Sequence, residues 1–532
     1  MRSLIVLVAV AILTAKASAA TYQVADKNIA TLQADMAAGR VSAAELVRAY
    51  MARIEALDRN GPELHAVIAV NPNAIADAVA LDAERKTSGA RGPLHGIPIL
   101  VKDNVETADS MPTTAGSLAL ANNVTHRDAP LVARLRAAGA VILGKTNLSE
   151  WANFRSSHSI SGWSGIGGLV KNPYVLDRNA CGSSSGSAVA VAASLSAAAI
   201  GTETNGSLVC PGSFNGIVSF KPTLGLVSRT HVVPISHNQD TAGPMARTVA
   251  DAGILLNAIS GSDPADAATT NADAKKSDFA ALSDASLQGK RLGVVMPPPG
   301  ALPSDTDLLF AQALAALKAR GAEIVEISDF VIPPQASFRS GDEELVLQYD
   351  FKNDLNAYLA SLPASPIHTL SDLIAFNAAS PRETALFGQN IFIESDARGD
   401  LSTPDYIRAH EELTRLATGT LDDLFGRYRL DALIHPTTEP AFRVDRVRAN
   451  TAGGGEFTGL AAVAGYPHLT VPMGYVQGLP VGLSVIGPAW SDARILALGY
   501  AFEQATHARK APNYLPSLEA PAGAGSAFAP VH

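Results

Sequence analysis

Cysteine is nearly missing from this chain: Cys181 and Cys210 are the only two in 532 residues. A framework of several disulfides and any four-cysteine zinc site are therefore excluded, while one bridge and a pair of buried free thiols both stay open. Charge is sparse as well, at 17%, and no run of Lys and Arg forms a basic stripe. With 41 basic against 50 acidic residues the formal charge is −9, which excludes nucleic acid as a partner, because a polyanion is held by clustered cations. The 12 histidines include no pair three or four residues apart, so no zinc-binding helix, no metal site and no cofactor is implied. No apolar run reaches the roughly 20 residues a membrane-spanning helix needs, so no membrane partner is predicted either. No internal repeat is visible.

What is present is a globular composition with 47% apolar residues, enough for a large core. The chain divides into three segments. Residues 1–20 place Arg2 before the apolar run Leu4 to Leu13 and end on small residues, the pattern of a secretory signal peptide; the run is too short for an anchor. Residues 21–515 form the folded unit, and the Pro/Ala/Gly-rich 516–532 a flexible tail. A periplasmic or secreted protein is the expectation.

Within the folded unit, Ser42-Ala-Ala-Glu45 has the form of a capping box opening an amphipathic helix through Leu46, Val47, Tyr50, Met51, Ile54 and Leu57. GIPILVKDNV, from Gly96 to Val105, reads as a buried strand that ends on Lys102. A helix from Pro130, a stop at Gly139 and a strand Ala140 to Leu143 follow, and this alternation is that of an α/β fold. Asn147 to Cys181 is a long loop without periodicity, which suggests function, and SAVAVAASLSAAAI from Ser187 reads as a buried helix of small residues. Ser260 to Asp278 is a polar linker; Lys290 to Val295 restarts a strand; helical patterns dominate from Thr306 to Leu424; strand-like runs lie in LDALIHPTT, GYPHLTVPMG and LPVGLSVIG.

The stretch CGSSSGS, from Cys181 to Ser187, carries three hydroxyls between two glycines at the mouth of a helix. A P-loop needs a lysine directly after the second glycine, and Gly186 is followed by Ser187 and Ala188. Gly182-Ser183-Ser184-Ser185-Gly186 also satisfies the G-x-S-x-G turn of α/β-hydrolases, an esterase reading with Ser184 as nucleophile and His435 or His468 as base. That turn demands a preceding buried strand, and KNPYVLDRNA is a poor one. The third reading pairs this loop with Ser207 in TETNGS and takes Lys102 as the base. An exposed lysine near pKa ~10.4 is useless as a base, but burial beside Ile97, Ile99, Leu100 and Val101 disfavours its charge and lowers that value by units.

Taken together, GIPILVKDN, CGSSSGSAVAVAA, GTETNGS…FNGIVSFKPT, QDTAGPMARTVADA and AGYPHLTVP…GLPVGLSVIG resemble, in order, the pattern of the amidase signature family, from near Ser42 to about Thr506. The resemblance implies an α/β fold built as one large α/β/α unit with a mixed central sheet covered by helices. It also implies a serine nucleophile at Ser207, a bridging serine in a cis peptide linkage at Ser183 and the base at Lys102, with the amides of Thr204, Asn205, Gly206 and Ser207 as oxyanion donors. The loops are most similar to those of bacterial peptide amidases, so the expected substrate is a small-molecule or peptide amide, either a C-terminal peptide amide or an amino-acid amide, and the expected product is ammonia; other small aliphatic or aryl amides are the alternative. Two positions depart from the family's common pattern. Asn205 stands where many members have glycine, and Val209 where many have arginine, which weakens the case for an acidic acyl group. The amidotransferase members of the same family act on glutamine with tRNA, and the export signal and acidic charge argue against that role.

Overall fold

The computed structural model describes residues 22–295, 304–334, 340–445 and 457–518. The segment read as a signal peptide and all but the first residues of the tail lie outside them. The strands, in chain order, are β1 (Val67–Val70), β2 (Pro98–Lys102), β3 (Val141–Thr146), the two-residue β4 (Trp163–Ser164) and β5 (Gly168–Leu169), β6 (Ala198–Glu203), β7 (Val218–Lys221), β8 (Thr241–Ala246), β9 (Arg291–Val295), β10 (Glu323–Ile327), β11 (Ala432–Pro436), β12 (His468–Val476) and β13 (Leu479–Ile486). Eleven of them make one mixed sheet in the order β1-β3-β2-β6-β8-β7-β12-β13-β11-β9-β10, while β4 and β5 pair separately. Helices cover this sheet, and the α/β/α expectation holds.

The site is positioned by the centre of that sheet. β2 pairs in parallel with β3 along one edge and with β6 along the other, and helices Ala43–Arg53 and Ser185–Ala192 pack on it, so all its residues are buried, which explains the unbroken apolar run Ile99-Leu100-Val101. Lys102 is its last residue and pairs with Thr146. The helix that begins at Ser42 has the capping box the sequence suggests, with Ser42 and Glu45 bonded reciprocally, and buries Leu46, Val47 and Tyr50.

Three readings of local structure need correction. The helix of small residues spans only Ser185–Ala192; Ala198–Ile200 belong to β6, because a run of alanines with no polar face fits a central strand as well as a buried helix. The helical stretch beyond Thr306 is interrupted by β10, whose alternation is masked by its place at the sheet edge. The segment Ser260 to Asp278 is no plain linker, since it holds a short 3-10 turn, Ala267–Asn271, and the helix Ala272–Lys275.

Helices Gly341–Ala360, Leu370–Ala379, Asn390–Asp396 and Pro404–Tyr428 form a helical region with its own apolar contacts. Phe351, Leu355 and Phe392 pack with Leu120, Trp151, Phe154, Val233 and Ile235, all from loops at the β2–β6 end of the sheet. Rings meet at 5.0 Å for Phe154 and Phe351. The helical region is thereby fastened over the loops. Among the described residues no helix is long and apolar enough to cross a membrane.

Close approach at Gly186 joins the serine-bearing helix to the rest. Its N–H donates to Asn147 O at 3.0 Å, and a Cβ there would run into the carbonyl oxygens of Ala66 and Asn147. We expect Gly186→Ala to lower stability by about 2 kcal/mol through overpacking, read from the urea midpoint; an unchanged midpoint would contradict this packing.

Candidate active site

Lys102 is fully buried, and the groups that its amine meets are all oxygens: Nζ lies 2.8 Å from Ser183 Oγ, and donates to Thr202 Oγ1 at 2.8 Å and Thr202 O at 3.3 Å. Asn104 Nδ2 donates to the same Thr202 hydroxyl at 3.0 Å, so that hydroxyl's position is fixed from two sides. Removal from water disfavours the ammonium and brings Lys102 down to about 7, although the carboxylates of Asp240 and Glu203 act the other way. Desolvation wins because the nearest groups are neutral oxygens rather than a paired carboxylate. Two more lysines are buried in the sheet, Lys145 and Lys221, and burial lowers each to about 8. Lys145 donates to Thr113 Oγ1 at 2.8 Å and to Val105 O at 2.5 Å, away from the serine loops. Only Lys102, of the three, meets a hydroxyl of CGSSSGS.

Ser183 follows a cis peptide bond from Gly182. Its carbonyl accepts from Ser149 N at 3.1 Å, which ties the long loop after β3 to it. The neighbouring hydroxyls are occupied in holding the chain: Ser184 Oγ donates to Thr202 O at 2.9 Å and accepts from Thr202 N at 3.2 Å, and Ser187 Oγ donates to Ile200 O at 3.1 Å. That placement overturns Ser184 as a nucleophile. His435 and His468 do not serve it either. They lie together with ring centroids 6.0 Å apart, both buried, with His468 Nε2 2.6 Å from Ser484 Oγ and burial pulling His435 down to about 4.

Ser207 lies between β6 and the helix Val209–Phe214, and is 8% exposed where Ser183 is 0%, so the more accessible hydroxyl is the one on the second loop. The loops meet directly, since Ser184 N donates to Ser207 O at 3.2 Å. They are also joined covalently: Cys181 and Cys210 form a disulfide with Cα atoms 6.0 Å apart, and this resolves the pairing the sequence leaves open. Gly206 has φ +81°, a left-handed conformation that glycine adopts without a Cβ clash. Among the described residues no acceptor meets the N–H groups of Asn205, Gly206 or Ser207.

Residues that sequence reasoning missed hold this second loop. Glu203 Oε2 accepts from Leu208 N at 2.7 Å and Val209 N at 3.1 Å, closing the turn after Ser207. Thr204 Oγ1 donates to Asp240 Oδ1 at 2.5 Å, and Asp240 also accepts from Ile235 N and Ser236 N; burial raises its carboxyl to about 6 against those bonds. The QDTAGP motif already contained Asp240, without a signal for which partner it would find. Val209 is buried inside its short helix. Among the described residues no three His, Cys, Asp or Glu side chains converge as a metal site.

The chain is similar to known proteins over most of its length. The family profile described as Amidase matches residues 45–496. An Arabidopsis thaliana protein named as a probable amidase is 38% identical over 510 residues, covering 93% of each chain. The crystal structure of native peptide amidase from Stenotrophomonas maltophilia superposes with a TM-score of 0.87 at 48% identity, covering 92% of this chain and 99% of that one. A component of the glutamyl-tRNA(Gln) amidotransferase of Ralstonia nicotianae is 36% identical over 523 residues, covering 90% of this chain and 98% of its own.

Between about pH 7 and the ordinary value of 10.5, the unfolded chain holds a proton at position 102 that the folded protein has released, so stability rises with pH across that window. Lys102→Met should remove up to about 1.4 kcal/mol per pH unit of that slope, with Lys145 and Lys221 common to both proteins; equal slopes would show that Lys102 keeps its proton. Replacing both cysteines by alanine opens a closure of sequence separation 29 and should lower stability by about 3.5 kcal/mol, measured by denaturant titration. A loss below about 1 kcal/mol would mean that the two loops are held by their hydrogen bonds alone.

Proposed function

We propose that this chain, which belongs to the amidase signature family and is an amidase, hydrolyses C-terminal peptide amides or amino-acid amides through an acyl-enzyme on Ser207. The observation that carries this reading is the buried amine of Lys102 lying 2.8 Å from Ser183 Oγ, on a loop bonded to the one that carries Ser207, with burial bringing that amine down to about 7. The peptide amidase likeness and the peptide-amidase-like loops support the substrate class.

In the first step the Ser207 hydroxyl proton passes to Ser183 Oγ as the Ser183 proton passes to the lone pair of Lys102. Ser207 Oγ forms its bond to the carboxamide carbon, and the carbonyl electron pair moves to oxygen. The N–H groups of Asn205, Gly206 and Ser207, with that of Thr204, receive the charge; one such donor is typically worth about 3 kcal/mol of transition-state stabilisation. Collapse breaks the carbon–nitrogen bond, and the proton on Lys102 returns through Ser183 to the leaving nitrogen, which departs as ammonia. Water then loses its proton to the same relay and attacks the ester; as the bond to Ser207 Oγ breaks, the proton on Lys102 returns through Ser183 to Ser207 Oγ, leaving a carboxylic acid, the free serine and the neutral amine. Thr202 and Asn104 keep the amine aligned through both halves.

Valine rather than arginine at position 209, buried two residues after Ser207, supplies no cation there, which suits a neutral acyl group. An exported location is part of this reading. It is supported by the signal-like residues 1–20 and by the Cys181–Cys210 bond, because disulfides persist in oxidising compartments.

We expect ammonia release from a C-terminally amidated dipeptide, with kcat/KM falling as pH drops below about 7, where Lys102 takes up its proton and ceases to be a base. Ser207→Ala and Lys102→Ala should each lose at least about 10³-fold in kcat, and Ser183→Ala at least about 10²-fold. Failure of the wild-type protein to release ammonia from any peptide or amino-acid amide would reject the substrate class; a Lys102→Ala variant with near-wild-type activity would reject the mechanism.

A further inference from the structure

Position 205 is where the chain departs from the glycine its family resemblance implies, and the structure shows what the new side chain does. Asn205 Nδ2 donates to Glu343 Oε1 at 2.6 Å. Gln239 Nε2 donates to the same oxygen at 3.1 Å and to Thr204 O at 3.3 Å. Glu343 is wholly buried, in the first turn of the helix Gly341–Ala360, where its own N–H is capped by Ser340 Oγ at 3.2 Å. One carboxylate oxygen thus gathers two amides, one belonging to the segment that leads into Ser207 and one that also bonds that segment's Thr204 carbonyl.

We propose that Glu343 is a positioning residue for the reaction: it anchors Asn205 and Gln239, and through them sets the backbone N–H groups of the segment 204–207 in the geometry that receives the developing oxyanion. This rests on the reading of Ser207 as nucleophile and deepens it. A buried oxygen that accepts from two amides at once fixes the neighbouring segment better than exchanging water does. Without it two buried amides lose an acceptor, and the segment loses its side-chain hold on the helical region. Of the holds that remain, Thr204 Oγ1 to Asp240 and Gln239 to Thr204 O act one residue further from Ser207, and Ser184 N to Ser207 O acts on the carbonyl beyond the N–H groups in question. Since an oxyanion donor acts only when it lies at the place where charge develops, displacement of this segment weakens the transition state more than the bound substrate.

The test is a kinetic split measured on the whole protein with an amidated dipeptide, together with inhibition by a peptide aldehyde, which forms a tetrahedral adduct on a serine, and by the matching alcohol, which does not. Glu343→Ala should lower kcat by about 10- to 100-fold with KM changed less than about threefold, and should weaken the aldehyde by a similar factor while leaving the alcohol unchanged. Glu343→Gln keeps an acceptor oxygen for both amides and should stay within about threefold of wild type. Asn205→Ala, which leaves the helix untouched, should reproduce most of the kcat loss even if Glu343→Ala does not fold. In an Asn205→Gly background, Glu343→Ala should cost at most about threefold more, because the main link is already gone. Glu343→Ala with wild-type kcat, a loss that falls equally on aldehyde and alcohol, or a full additive loss in the Asn205→Gly background would overturn the inference. A wild-type protein that neither releases ammonia nor binds the aldehyde would overturn the nucleophile assignment itself, a distinct result.

Discussion

An amine taken out of water at the end of a central strand has its pKa pulled down towards neutrality unless a carboxylate sits against it. At Lys102 the contacts within 3.3 Å are hydroxyl and carbonyl oxygens, while Asp240 and Glu203 act only at longer range. That one constraint depends on a great deal of structure. β2 must be covered on both sides by parallel neighbours, β6 must present Thr202 at the right level, and the loop carrying Ser183 must close over the amine. A lysine in such a place weakens the fold at neutral pH relative to an apolar side chain, and it is retained where chemistry needs a base.

The segments around this amine are cross-linked with unusual density for loops. Ser184 holds β6 through both its donor and its acceptor capacity, Ser149 holds the carbonyl of Ser183, and a disulfide joins Cys181 to Cys210 across the two serine loops. Glu203 closes the turn that follows Ser207. Rigid placement of reacting groups supplies a large part of a catalytic advantage, and here the hydroxyls of Ser183, Ser184, Ser185 and Ser187 each have a partner that fixes them, while the N–H groups of Asn205, Gly206 and Ser207 stay open. The helical region from Gly341 to Tyr428 completes the arrangement from the other side, with aromatic contacts onto Trp151 and Phe154 and with Glu343 reaching the nucleophile segment.

Much of this was legible in the chain because it is local. The capping box at Ser42, the buried run ending in Lys102 and the strand pairs near the C-terminus are each written in a few neighbouring residues, and Lys102, Ser183 and Ser207 stand in motifs whose order is specific. What escaped is non-local. The division of the alanine-rich run into a helix and β6 depends on strands that come before and after it, since alanine tolerates either state. Nothing near Cys181 announces Cys210 as its partner. Glu343 lies 138 residues from Asn205 in DEELVLQYDFKNDLNAYL, a stretch that reads equally as a wall of the substrate pocket and as ordinary amphipathic packing, and only the fold brings the two together.

The most direct test of the account is the protonation of Lys102 itself, followed by NMR of the protein labelled at lysine Cε and Nζ, with its resonance assigned by disappearance in Lys102→Met. The account predicts a titration midpoint near 7, far below that of the exposed lysines. A midpoint near 10.5 would mean that the ammonium persists at neutral pH, and the proposed base would not exist.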